Sequence, residues 1–141
     1  MFWNRRQFLS FAAAAGFLAV APSVGRAKGK LELIMFEQLG CPWCAKWEAE
    51  VGVVYHKTYE GKRAPVRRVN IYGDRPPELV FVQNIMYSPT FVLIEGGREI
   101  GRITGYPGEA HFYVQLSKLL DDYDKGRSKG TTQGKGNIQW H

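Results

Sequence analysis

The segment Leu31-Glu-Leu-Ile-Met-Phe-Glu-Gln-Leu-Gly-Cys-Pro-Trp-Cys44 decides the architecture of this 141-residue chain. Its first half, Leu31 to Glu37, is a β-rich apolar run with the length of a buried strand. Gly40 breaks that run. Pro42 suits the first turn of a helix, where a missing N–H costs nothing, and Cys41 then takes the N-cap. Cys44, Trp47, Val51 and Val54 recur at helical spacing, so this helix buries one stripe. Gly52 weakens its far end by about 1 kcal/mol relative to alanine.

Outward from that unit, the polar stretch His56 to Pro65 reads as loop, and Val66 to Tyr72 as a second strand. Asp74 and the Pro76-Pro77 pair open a short helix over Pro77 to Gln83, which Asn84 can close in a left-handed conformation. Phe91 to Ile94 is a continuous apolar strand. Glu95-Gly96-Gly97 is a hairpin turn, and Arg98 to Thr104 is its partner strand. Gly105-Tyr-Pro-Gly108 is loop. Phe112, Tyr113, Leu116, Leu119, Leu120 and Tyr123 mark a C-terminal amphipathic helix. From Asp124 the chain turns to Gly, Lys, Ser, Thr and Gln, so 124–141 reads as a disordered tail. The order β-α-β-α-β-β-α implies an α/β domain. Its first two strands are parallel through a right-handed crossover and its last two form an antiparallel hairpin, in a mixed four-stranded sheet flanked by helices.

The N-terminus reads differently. Arg5-Arg6 is followed by Phe8-Leu9, an apolar run to Ala21, and Gly25-Arg26-Ala27. This is a charged, then apolar, then small-residue export signal that resembles the twin-arginine type, with an ordinary secretory signal and an uncleaved anchor as the alternatives, a cut expected after Ala27 and the periplasm as destination. The domain proper is then 28–123. The signal also accounts for half of the +6 net charge: without residues 1–27, 16 basic and 13 acidic residues remain. No basic patch with interleaved aromatics occurs, which argues against a nucleic-acid partner.

Cys41 and Cys44 are the only cysteines. As a structural staple they would close a four-residue loop, removing roughly 2 kcal/mol of denatured-state entropy, a poor return for a sole bridge. A zinc site needs a second ligand pair, and His56, His111 and His141 have no ligand spacing. Haem attachment needs histidine after the second cysteine, where Ala45 stands. Redox exchange fits best. Cys41 at a helix N-terminus is placed for a stabilised thiolate, the attacking species in disulfide exchange. Cys44, on the apolar stripe, is expected to be buried until it resolves a mixed disulfide. No metal or organic cofactor is required. Trp43 is expected as a partly exposed lip. Glu37 and Lys46 are candidates for proton-transfer assistance, with a plain surface charge as the alternative for each. Ser88-Pro89-Thr90 opens the third strand with a proline that can be cis. In this layout the turn lies against Cys41 and leaves the Ser88 backbone for an extended substrate.

Cys41-Pro-Trp-Cys44, Ser88-Pro89 before a strand, and Gly97 to Gly105 before a terminal helix resemble the thioredoxin superfamily. Glu37 to Cys44, Pro65-Val-Arg-Arg-Val69, Ser88-Pro-Thr-Phe-Val92 and Gly105-Tyr-Pro-Gly-Glu109 look more narrowly like the small periplasmic thioredoxins of bacterial sulfur-oxidation operons. The resemblance implies a monomeric reductase for a protein disulfide or mixed disulfide of a sulfur-oxidation component, recharged by a membrane thiol-electron carrier. Departures are clear. Gly40 replaces the tryptophan that thioredoxins place before the first cysteine. Met35 replaces their buried aspartate. The missing N-terminal strand and helix give a glutaredoxin-like outline. Two alternatives stay open: a glutathione-dependent reductase, and a non-catalytic thioredoxin-fold binding module that uses the Pro89 groove.

Overall fold

The computed structural model describes residues 29–132. The export signal expected at 1–27 and residues 133–141 lie outside them. Strands β1 (Leu31–Glu37), β2 (Val66–Asn70), β3 (Thr90–Glu95) and β4 (Arg98–Thr104) form one sheet in the order β2-β1-β3-β4. β1 and β2 are parallel, and β3 is antiparallel to both β1 and β4, which is the mixed sheet the sequence predicts. β1 is central and covered on both faces, so it reads as a continuous apolar run. The pleat sends Leu31, Leu33, Met35, Phe91, Leu93 and Ile103 into one core, and Ile34, Phe36, Val69, Val92 and Ile94 into the other.

The first core is roofed by α1, which runs through Pro42–Trp47, a π turn at Glu48–Gly52 and a last turn Val53–Tyr55. A π turn uses more residues per revolution than an α turn. The residue that returns to the core is therefore Tyr55, and Val54, expected on the stripe, is 43% exposed. The Tyr55 hydroxyl donates to the Ala64 carbonyl at 2.8 Å. Burial raises its pKa well above the ordinary phenol value and keeps it a donor.

The stretch expected as loop, 56–65, contains the helix α2 (Tyr59–Arg63). Thr58 caps it, its Oγ1 accepting the Gly61 N–H at 3.0 Å. Gly61 disguises this helix, being a poor helix former, yet it is required: a Cβ there would collide with the Tyr55 carbonyl oxygen.

On the opposite face, the helix expected over Pro77 to Gln83 is reduced to a single 3-10 turn, Pro77–Leu79. The Arg75 guanidinium satisfies the Val82 carbonyl outside any helix, and Leu79 and Val82 fill the second core. Asn84 takes the expected left-handed conformation, φ 58°. β2 ends at Asn70 rather than Tyr72, because the Asn70 side chain accepts the Tyr72 N–H at 2.9 Å in a turn.

The last helix, α3 (Glu109–Thr132), continues past Tyr123, although the sequence places the start of a tail at Asp124. Asp124 pairs with Arg63 of α2 through two hydrogen bonds of 2.8 and 3.0 Å. Tyr123 donates to Glu95 at 2.6 Å, and Arg127 reaches both Tyr123 and Glu95. Such partly exposed pairs contribute about 0.2–1 kcal/mol each. That suffices here, because lengthening an existing helix needs no new nucleus.

Phe112 is the hub of the first core. Its ring meets Phe91 at 4.9 Å, Trp47 at 5.9 Å and Tyr106 at 6.2 Å between centroids, all edge-on. Phe112→Ala is expected to cost about 3–5 kcal/mol, read as a lower denaturation midpoint at unchanged slope. Gly61→Ala, despite better helix propensity, is expected to cost about 1–3 kcal/mol of overpacking strain. An unchanged or raised melting temperature would contradict the close approach to Tyr55.

Candidate active site

The register of β1 against β3 sets Phe36 opposite Thr90. The chain leaving β1 therefore runs beside the chain entering β3. The Gln38 N–H donates to Ser88 Oγ at 3.1 Å. The Ser88–Pro89 peptide bond is cis. Thr90 Oγ1 donates to the Tyr87 carbonyl at 2.7 Å, and the Gly105 N–H donates to the Pro89 carbonyl at 2.7 Å. The turn is thus held from both neighbouring segments.

Gly40, at φ +74°, swings the chain from β1 into α1 through a backbone conformation that side chains rarely adopt. Cys41 is the N-cap residue as expected, in extended conformation, and its own Sγ accepts the Cys44 N–H at 3.2 Å. Cys41 and Cys44 are joined in a disulfide, with Cα atoms 5.3 Å apart. The sequence anticipates an open Cys41 and a covered Cys44. In the bridged form both are covered, at 6% exposure each. The reason is the Ser88 turn. Its Oγ lies 3.3 Å from Cys41 Sγ and 3.1 Å from Cys44 Sγ, and its carbonyl oxygen lies 3.6 Å from Cys41 Sγ. Met35 belongs to the same core as both cysteines, so the floor under the sulfurs is apolar.

Trp43 is a lip as anticipated, 56% exposed, with Lys46 Nζ 5.5 Å from its ring centre. Lys46 also pairs with Glu50 at 4.0 Å and does not line the sulfur cleft. Glu37 does. A cleft of about 540 Å³ is walled by Glu37, Gly40, Cys41, Cys44, Glu48 and Arg68 among others. Arg68 bridges its two carboxylates, pairing with Glu37 at 3.6 Å and with Glu48. Sequence reasoning missed Arg68, Glu48 and the Ser88 hydroxyl. The first two carry a faint signal. Glu48 stands one helical turn beyond Cys44, and Met35 pairs with Arg68 across the parallel ladder, which makes Glu37 and Arg68 diagonal neighbours on one face. Among the described residues, no group of three or more His, Cys, Asp or Glu side chains is placed to hold a metal ion.

A bridge between two cysteines at the head of a helix, where one of the sulfurs caps the helix and a cis-proline turn covers both, is built to open and close by exchange. It defines a thiol–disulfide oxidoreductase that works through its own disulfide. Comparison with known proteins narrows the class. The structure is similar to the periplasmic thioredoxin SoxS from Paracoccus pantotrophus in its reduced form. The TM-score is 0.61 at 44% identity, over 64% of this chain and 96% of that one. The thioredoxin of Fasciola hepatica (TM-score 0.50, 23% identity, 65% and 83% of the two chains) and the germline-specific thioredoxin Deadhead of Drosophila melanogaster (0.50, 24%, 64% and 82%) share the fold. No protein-family model and no curated protein matches the chain. The chain belongs to the thioredoxin superfamily.

Arg68→Met leaves the carboxylates of Glu37 and Glu48 uncompensated on the cleft wall. The reduced cysteines are expected to titrate at higher pH and to exchange several-fold more slowly, with the deficit shrinking as salt is added. Equal rates for the two proteins at low ionic strength would show that this charge cluster does not reach the sulfurs.

Proposed function

We propose that this protein is a periplasmic reductase of a protein disulfide or mixed disulfide in a sulfur-oxidation component, with Cys41 as nucleophile and Cys44 as resolving thiol. The observation that carries the reading is the Cys41–Cys44 bridge at the head of α1, with Cys41 Sγ held by the Cys44 N–H at 3.2 Å. That N–H would stabilise a Cys41 thiolate, and a thiolate attacks disulfide sulfur. In the first step the Cys41–substrate S–S bond forms while the substrate S–S bond breaks, and one substrate sulfur leaves as a thiolate. In the second step Cys44 attacks Cys41, the mixed disulfide breaks and the second substrate sulfur leaves. Two electrons pass from the dithiol to the substrate, and the bridge seen here results. A membrane thiol-electron carrier would restore the dithiol.

Trp43 and the turn at Ser88 and Pro89 would line the path of an extended substrate segment. Glu37 would serve the Cys44 proton, whereas Lys46, drawn toward Glu50, is the weaker candidate. The periplasmic location rests on the export signal read in residues 1–27, removed after Ala27, and agrees with the location of the 44%-identical thioredoxin. A monomer is expected. The choice of a sulfur-oxidation substrate rests on the motif resemblance together with that identity.

Expression of Cys44→Ser in the periplasm is expected to accumulate a mixed disulfide with its substrate, identified after non-reducing capture, while Cys41→Ser captures nothing and loses disulfide reduction by more than 10²-fold. A reduction potential near −270 mV would fit the reductase, whereas one near −120 mV would mark an oxidant. Full activity of Cys41→Ser would sink the enzyme reading for this site.

A further inference from the structure

Two different surfaces meet at the Cys41–Cys44 bridge. The turn from Gln83 to Pro89 and the loop from Gly105 to Gly108 contain no charged residue. The cleft of about 540 Å³ does. Both cysteines stand in its wall with Glu37 from the end of β1, Glu48 from the π turn of α1 and Arg68 from β2, whereas Trp43, Ser88 and Pro89 take no part in it. Gly40 also lines this cleft, and a Cβ there would meet nothing within 4 Å, so the mouth stands open beside Cys41.

The charges of the cleft do not cancel. Among the described residues Arg68 is the only cation in the wall, and it is already committed. It pairs with Glu37 at 3.6 Å and with Glu48, and its guanidinium lies 5.7 Å from the centre of the Trp47 ring. Two carboxylates against one guanidinium leave one unit of negative charge beside the sulfurs. Lys46, on α1, adds nothing to this balance, because Glu50 pairs with it at 4.0 Å. All three cleft side chains are partly exposed, so an ion entering from solvent can reach them. A carboxylate has about four acceptor sites, and Arg68 uses only part of them. An incoming cation therefore gains partners without displacing Arg68. An anion finds no free guanidinium and a repelling wall.

We propose that this cleft selects by charge what exchanges with the cysteine pair, favouring a disulfide that carries an ammonium or guanidinium within a few bonds of its reacting sulfur. In a protein substrate that group is a lysine or arginine beside the reacting cysteine. The extended part of such a substrate follows the uncharged turn, and its basic side chain enters the cleft. Glu37 and Glu48 are then specificity residues. Arg68 is a positioning residue, which holds both carboxylates on one wall and trims their charge to a single unit. Every substrate meets the same Cys41 thiolate, so whatever the wall does to that thiolate divides out when two substrates are compared on one protein.

The inference rests on the exchange chemistry proposed above. The test follows oxidation of the reduced protein by three small disulfides: cystamine, with an ammonium on each half; hydroxyethyl disulfide, which is neutral; and dithiodiglycolate, with a carboxylate on each half. Each rate is divided by that of a free neutral thiol with the same probe, which removes the probe's intrinsic reactivity. The wild-type protein is expected to favour cystamine over dithiodiglycolate by about fivefold at low salt, a preference that fades as ionic strength passes about 0.15 M. Glu48→Gln, which leaves the wall neutral, is expected to remove most of the preference. Arg68→Met, which doubles the surplus, is expected to enlarge it. Asp122→Asn, on α3 and paired with Lys118, is expected to match the wild type. Equal normalised rates for the three probes, a preference for the anion, or variants at Glu48 and Arg68 that move the preference in the same direction overturn the charge selection and leave the exchange chemistry standing. A reduced protein that reacts with none of the probes faster than the free thiol overturns both.

Discussion

The pairing of β1 with β3 is the constraint on which the rest of the molecule depends. Leu31 to Phe36 lie antiparallel to Thr90 to Glu95, and that ladder alone brings residues 38–44 beside residue 88. Side chains alternate with period two, so a slip of one residue would carry Met35 out of the first core and Phe36 out of the second. It would also take the Gln38 N–H away from Ser88. Closing a loop of some fifty residues costs entropy that grows only slowly with length, and burying both faces of β1 offsets it. The active-site geometry is therefore a by-product of the packing of β1 against its neighbours in the sheet.

The sulfurs inherit their rigidity from the same core. Trp47 sits one turn below Cys44 and packs on Phe91 at 5.3 Å, while Phe112 closes the cluster from α3. Glu50 of α1 accepts a hydrogen bond from Tyr106 at 2.6 Å, which ties the π turn to the loop after β4. Burial and that bond raise the pKa of the Tyr106 phenol well above its ordinary value, so the tie persists through the whole neutral range. Functional groups held to within a fraction of an ångström need such support from residues that take no part in the chemistry.

What could be read from the sequence follows from the range of the interactions involved. The strands, the hairpin at Gly96-Gly97, the capping position of Cys41 and the lip at Trp43 depend on local pattern, and each stands where the sequence puts it, except that β2 stops two residues early at Asn70. The helix Tyr59–Arg63 escaped because Gly61 reads as a breaker until the Tyr55 carbonyl is seen against it. Val54 fits the buried stripe by spacing alone, because a sequence carries no mark of a π turn. The length of α3 was hidden because Asp124 and Arg127 look like tail composition, whereas their partners, Arg63 and Glu95, are far away in sequence. The covered state of Cys41 and the Ser88 hydroxyl between the two sulfurs are products of the β1–β3 register, which no local window contains.

That register also gives meaning to the missing buried acid. With Met35 in the core that holds both cysteines, no buried carboxylate stands there among the described residues, and the acidic groups that share the cleft with the sulfurs are Glu37 and Glu48, bridged by Arg68. A carboxylate in water screens and is screened, so it acts on a thiol weakly and over several ångströms. An N–H or O–H in contact with sulfur acts at about 3 Å, with no solvent between the two atoms. The sulfurs of this chain lie between an apolar floor and a charged cleft. The donors in contact with them are the Cys44 amide, 3.2 Å from Cys41 Sγ, and the Ser88 hydroxyl, 3.3 and 3.1 Å from the two sulfurs, which the fold brings from α1 and from the turn before β3.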